Sequence, residues 1–193
     1  MAPEAAVSRV FFWTQDWGEV KRCVFRKQEV MAELEGTFEY SATRGIEKWL
    51  EMLERYGMPC ILCASGQTKE RVRGIVGKLG LGKYFSSKDM VSSEDEFDSL
   101  EQMLLVGSLK SSRPPGKCVV FTDKPNGITA GHEVSAKVVG LIGAHPAYEM
   151  KTADQLVAGY DELVVYNMRR LFSEEGMEMM DAQTQLEFDR GMN

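Results

Sequence analysis

Apolar positions along the chain switch repeatedly between two periods. In VKRCVFRKQEVMAELE they fall at Val20, Cys23, Val24, Val30 and Leu34, a helical spacing, so residues 8–35 read as one or two helices. SATRGIEKWLEMLERYG places Ile46, Trp49, Leu50 and Leu53 on one face and stops at Gly57, a second helix. PCILCAS is a short apolar run ending on Ser65; TKERVRGIVGKLGLGKYF then predicts a helix capped near Thr68 and closed by a glycine-rich turn. DMVSSEDEFDS reads as an acidic loop, LEQMLLVGSLK as a helix, SRPPG as a turn and KCVVFTD as a strand buried on both faces. A turn and helix over PNGITAGHEVSA, a strand over KVVGLIG, and a short strand or turn leading into a helix over ADQLVAGYDELVVYNMRRLF complete the series. The Met-rich end, EEGMEMMDAQTQLEFDRGMN, reads as a loosely attached helix.

Strands alternating with helices imply right-handed βαβ crossovers, hence an α/β fold with a parallel, three-layer Rossmann-like sheet. Three segments follow: 1–40, helical; 41–175, the α/β core; and 176–193, a tail. Ligands of such sheets bind at the carboxyl ends of the strands, where Ser65 and Asp123 both stand.

Composition narrows the function classes. A chain of 193 residues, 44% hydrophobic, can bury a core of its own. Its net charge is −6, with Lys and Arg scattered among acids, so no basic stripe awaits phosphates and nucleic acid is excluded as the main partner. No apolar run reaches the roughly 18 residues of a membrane span, and MAPEAAVSRVFFW has no leader-like pattern. Cys60 and Cys63 form a CxxC inside an apolar run with no second pair to complete a zinc set, so they read as buried small hydrophobes, in keeping with a reducing compartment.

Taken in order, these residues resemble the haloacid dehalogenase-like phosphohydrolase superfamily. CVVFTDKPNGITAGHEVSAKVVGLIG is similar to its fourth motif, a strand ending on acids before a P-x-G-I-x-A turn and helix, and ILCAS is similar to its second, a strand ending on Ser or Thr. KCVVF, GITA, VGLIGAH, ADQLVAG and NMRRLF resemble, more narrowly, the plant and algal plastid branch of 5-amino-6-(5-phospho-D-ribitylamino)uracil phosphatases. The likeness covers residues 40–175, and residues 1–40 resemble the end of that family's helical cap. What it implies is covalent phosphoryl transfer: a nucleophilic Asp and an acid Asp from a DxD on the central strand, a phosphate-binding Ser or Thr, a steadying Lys, and acids holding Mg²⁺.

Carried over residue by residue, the resemblance puts Ser65 and Gly66 at the phosphate position and Asp123 at the metal position, with Thr122 and Lys124 flanking it. Lys124 sets a cation beside any Mg²⁺ and is itself a phosphate-binding candidate. Where the steadying Lys belongs, SSEDEFDSL carries acids, and Lys110 lies too far along its helix to replace it. No DxDGT occurs: the closest imitation, FFWTQDWG, offers Thr14 for the nucleophile and Asp16 for the acid, against the competing expectation of a cap helix with an exposed Asp16. Without that strand the sheet lacks its centre, and unpaired edges must be covered by the N-terminal segment or by another chain.

His132 and His145 form no ligand pair by spacing. Asn126 and Gly127 read as a tight turn, which Asp123 would help by accepting backbone hydrogen bonds. Trp13, Trp17 and Trp49 read as core or interface, and Phe11 to Trp13 as a possible partner-facing patch.

The expectation is a chain of phosphatase ancestry that has lost hydrolysis and serves as a structural or regulatory subunit of a larger plastid assembly with other protein subunits, with no cofactor. The alternative is a Mg²⁺-dependent phosphomonoesterase of the riboflavin branch, present here as part of a longer chain; a third reading is passive binding of a phosphorylated small molecule through Ser65, Gly66 and Lys124.

Overall fold

The computed structural model describes residues 3–172, so the Met-rich tail expected at 176–193 lies outside the described residues. The chain divides into two compact units, residues 1–40 and 41–193.

In the first unit a short turn, α1 (Pro3–Ala5), runs into a π-helical stretch over Ala6–Val10, and α2 (Trp17–Thr37) follows. Asp16 starts α2 as its N-cap: its carboxylate accepts the Glu19 backbone N–H at 2.8 Å, satisfying a donor that the first turn would leave orphaned. Trp13 and Trp17 are exposed, as are Phe11, stacked on Trp13, and Phe12.

The second unit runs α3 (Ile46–Arg55), β1 (Leu62–Ala64), α4 (Lys69–Lys78), β2 (Met90–Ser92), α5 (Leu100–Lys110), β3 (Val119–Thr122), α6 (Pro125–Glu133), β4 (Lys137–Leu141), α7 (Ala147–Met150), β5 (Gln155–Val157) and α8 (Val165–Arg170). All strand pairs are parallel, as the alternating pattern implies, but the sheet comes in two pieces: β1 with β2, Leu62 opposite Met90, and β3-β4-β5, Val119 opposite Lys137 and Val139 opposite Gln155. One expected loop is a strand. Met90 and Val91 at the head of the acidic stretch are fully buried as β2, since pairing with β1 outweighs the polar residues around them.

Period-two alternation sorts the strand side chains onto two faces. Val119, Phe121, Val139 and Leu141 join Trp49 of α3 and Leu163, Val165 and Met168 in one cluster, with Trp49 edge-on to Phe121. Val120, Val138 and Leu156 meet Ile128 of α6 and Met150 on the opposite face. Across the other piece, Leu62, Ala64 and Met90 pack with Leu50 of α3 and Val72 and Val76 of α4, whereas Gly107 of α5 lies against Cys63 and Val91. Ile46 belongs to both α3-side clusters, and α5 packs on α6. Thus α3 spans the two half-sheets on one face, and the α5–α6 pair spans them on the other.

Candidate functional site

Between the half-sheets lies a cavity of about 830 Å³. From β1 it takes Cys63, Ala64 and the following Ser65; from β3, Val120 through Lys124; from α5 and α6, among others, Leu104, Gly127 and Ala130; and at its rim, Thr43 and Tyr160. Ser65, Asp123 and Lys124, chosen from sequence on separate strands, therefore meet around one space at the carboxyl ends of β1 and β3. Gly66, next to Ser65, has φ +71°, a left-handed backbone that glycine adopts without strain.

Asp123 is exposed and is the only carboxylate among the residues that line the cavity. Its charge is felt by Tyr160, whose hydroxyl is pushed up to about 12, first by burial and second by Asp123. The backbone hydrogen bonding expected of Asp123 falls instead to its neighbour: Thr122 Oγ1 accepts the Lys124 N–H at 3.2 Å. Nor do Asn126 and Gly127 form a separate turn. They lie in the first turn of α6, behind Pro125 at a position where a missing N–H costs nothing, and a side chain on Gly127 would overlap Thr122 Oγ1.

Two lysines near the acidic stretch have partners of their own. Lys110 lies 2.7 Å from Asp95 and 2.6 Å from the Met90 carbonyl, and Lys69 lies 3.1 Å from the same carboxylate. Burial works to raise the Asp95 carboxyl, but hydrogen bonds from Lys110, the Ser92 N–H and Lys69 outweigh it and hold the group down at about 2. Lys110, too far along its helix to replace the steadying lysine, is not among the residues that line the cavity; it is spent on Asp95, just past β2.

Cys63 is pushed up to about 11, chiefly by burial, and Cys60 is also raised by burial, which makes both thiols inert small hydrophobes. His132 bonds Asp154 at 3.0 Å and His145 bonds Glu149 at 2.8 Å, each on its own carboxylate. Asp16, the weak candidate from the first unit, serves α2 as a helix cap. A magnesium ion wants about six oxygen ligands in a near-octahedral shell. Since waters and substrate phosphates usually fill most of that shell, one or two carboxylates are the protein's share; here the lining offers Asp123 alone, with the Lys124 cation as its chain neighbour, and no group of three His, Cys, Asp or Glu that could hold a metal occurs among the described residues. Tyr160, Thr43 and Gln67 were missed from sequence; only Gln67, two residues after Ser65, had a positional signal. Its side-chain oxygen is buried without a hydrogen-bond partner among the described residues.

The architecture has close counterparts. A hydrolase of the haloacid dehalogenase family, type IA variant 3, from Entamoeba histolytica superposes with a TM-score of 0.75 at 16% identity, over 89% of this chain and 78% of that one. The fold is that of the haloacid dehalogenase-like hydrolases. A β-phosphoglucomutase from Clostridium difficile (TM-score 0.66, 16% identity, 91% of this chain and 78% of that one) has it too. So does a haloacid dehalogenase-family hydrolase from Deinococcus radiodurans solved with bound phosphate and sodium (TM-score 0.57, 19% identity, 90% and 74%). In sequence, the chain is 30% identical over 173 residues to the chloroplastic 5-amino-6-(5-phospho-D-ribitylamino)uracil phosphatase of Arabidopsis thaliana, 89% of its own length but 45% of the relative's. No family model matches it. The resemblance carried by the Ser65 and Asp123 motifs thus extends to the fold as a whole, and among the described residues no helix is long and apolar enough to cross a membrane.

Proposed function

We propose that this chain is a phosphatase-derived subunit that does not hydrolyse phosphate esters on its own, and that it serves a structural or regulatory role in a plastid assembly with other protein subunits. The observation that carries this reading is the open cavity between β1 and β3. Ser65 and Asp123 face it from either side, and the lining offers no second carboxylate to attack phosphorus. Enzymes supply at least about 8 kcal/mol of transition-state stabilisation. A single hydrogen-bond donor such as Ser65 contributes on the order of 3 kcal/mol to such a site. Lys110 and Lys69 are held by Asp95, and Asp123 is the one carboxylate of the lining, so the deficit stands. Plastid residence rests on the chloroplastic relative.

The experiment is turnover of p-nitrophenyl phosphate with Mg²⁺. The expected result is a rate at the buffer background for the chain and for Asp123→Ala alike. Turnover that Asp123→Ala abolishes overturns the reading in favour of a Mg²⁺-dependent phosphomonoesterase of the riboflavin branch, the alternative that the 30% identical relative favours.

A further inference from the structure

The chain holds asparagine at positions 126, 167 and 193, and of these Asn126 alone is followed by glycine. Such a pair is chemically labile. With no side chain in the way, the backbone nitrogen of the glycine can reach the asparagine Cγ, close a succinimide ring and expel ammonia. Water then opens the ring to aspartate or isoaspartate. The net change converts an amide and a water to an acid and an ammonia, and it calls for no other reactant.

Packing forbids the simplest protection, a bulkier successor. A Cβ on Gly127 would overlap Thr122 Oγ1, so the glycine must stay. Asn126 is exposed, which gives water access to it, and among the described residues no hydrogen bond holds its carboxamide. What withholds the reaction is the backbone. The Gly127 N–H donates to the Lys124 carbonyl at 3.0 Å, and the Ile128 N–H donates to the same oxygen at 3.3 Å. An N–H committed along the helix axis is turned away from the side chain that precedes it. Pro125 fixes the backbone at the first helical position, and the fully buried Ile128 and Ala130 anchor α6 behind it.

From this geometry we infer that Asn126 is a latent deamidation site, latched by the first turn of α6 and converted to aspartate or isoaspartate when that turn opens. Helix ends open locally far more often than a whole fold unfolds, so the rate in the folded chain is set by fraying of this turn. The consequence falls on the cavity. Aspartate adds a second carboxylate to a lining in which Asp123 is the only one. Isoaspartate inserts an extra carbon into the backbone, which breaks the turn and draws Gly127 off Thr122. The inference stands whether or not the chain hydrolyses phosphate esters.

The test is peptide mapping by mass spectrometry of the full chain, aged at mildly alkaline pH both folded and in guanidinium chloride at the same pH and temperature. The peptide carrying Asn126 is expected to deamidate in denaturant, and at least about tenfold more slowly in the folded chain. Asn167, followed by Met168 in α8, is the internal control and is expected to remain an amide in both. Pro125→Gly, which frees the backbone of the turn, is expected to quicken the folded-chain reaction severalfold and to leave the reaction in denaturant unchanged. Should that variant fail to fold, the two states of the unaltered chain still decide. Asn126 intact in denaturant, Asn167 reacting as fast as Asn126, equal rates at Asn126 in both states, or a folded Pro125→Gly chain no faster than its parent overturns the inference.

Discussion

Two strand ends in the same unit carry an aspartate just past a buried run, and they have opposite fates. After β2, Asp95 is 13% exposed and receives Lys110, Lys69 and the Ser92 N–H, while Glu94 accepts the Lys69 backbone N–H at the start of α4. After β3, Asp123 is exposed, faces an open cavity, and is joined by no hydrogen bond among the described residues; its neighbour Thr122 holds the local backbone. The first acid is structural, because its charge is fully answered inside the fold. The second sits where a charge is useful only to something that enters the cavity. A strand-end carboxylate in an α/β sheet is therefore not a site by position; what distinguishes it is whether the chain has already spent its partners.

The sharpest way to break that contrast is to remove the answered acid. Charge-assisted hydrogen bonds of this kind are worth more than neutral ones, and Asp95→Asn, leaving two lysines facing a neutral amide, is expected to cost about 2 kcal/mol. For a chain of this size that lowers the melting temperature by roughly 4–8 °C at pH 7, measured by calorimetry. The pH dependence gives the sign. The Asp95 carboxyl lies at about 2 in the folded chain against an ordinary 3.8, so its stabilisation is present above pH 4 and is lost as the pH falls toward 2. The Asp95→Asn chain should lack that segment of the acid curve, and the two curves should converge near pH 2. Parallel curves would show that the lysines do not act through Asp95.

Much of this contrast was invisible in the linear chain. Strands β1, β3 and β4 announce themselves as apolar runs ending on Ser65, Asp123 and Gly143, because a strand buried on both faces needs nothing else to be recognised. β2 does not: three residues, Met90 to Ser92, at the head of a run of acids become a strand only when β1 supplies the partner. The Asp95–Lys110 pair was equally hidden, being 15 residues apart across a turn and a helix whose packing brings the two together. The cavity was legible in outline, since the missing central strand implied uncovered edges. Which helices cover it, and that Tyr160 stands at its rim, depend on tertiary packing that no local pattern encodes. The turn assigned to Asn126 and Gly127 failed because a proline at the first position of a helix looks the same, residue for residue, as one in a turn.

A second, smaller effect separates packing from chemistry at the open strand end itself. Gly127 has a helical backbone, so it needs no glycine for its dihedral angles; it needs one because Thr122 Oγ1 occupies the space of a Cβ. Gly127→Ala is expected to cost about 1–2 kcal/mol by overpacking. Thr122→Ser is the companion variant: it keeps the hydroxyl in place, so it should not relieve the penalty, whereas Thr122→Ala, which removes the oxygen, should recover part of it. Urea melts of the single and double variants measure the coupling. Additive costs would mean that the α6 helix simply shifts away from β3, and that the carboxyl end of β3 is softer than its neighbours imply.

The smallest expected effect falls on Asp123, and its smallness is informative. With no partner among the described residues to lose, Asp123→Asn should change stability by no more than about 0.5 kcal/mol, a fraction of the effect at Asp95. Its one electrostatic trace should be on Tyr160. That hydroxyl is raised to about 12 mainly by burial and secondarily by the Asp123 charge, so neutralising the charge should lower its ionisation point modestly while leaving it above the ordinary 10. Difference absorbance titration of Asp123→Asn against Asp123→Asn with Tyr160→Phe isolates the tyrosine. If Asp123→Asn instead destabilised the chain as strongly as Asp95→Asn, the carboxylate would have an internal partner after all, and the distinction between a spent acid and an available one would collapse at the position where it matters most.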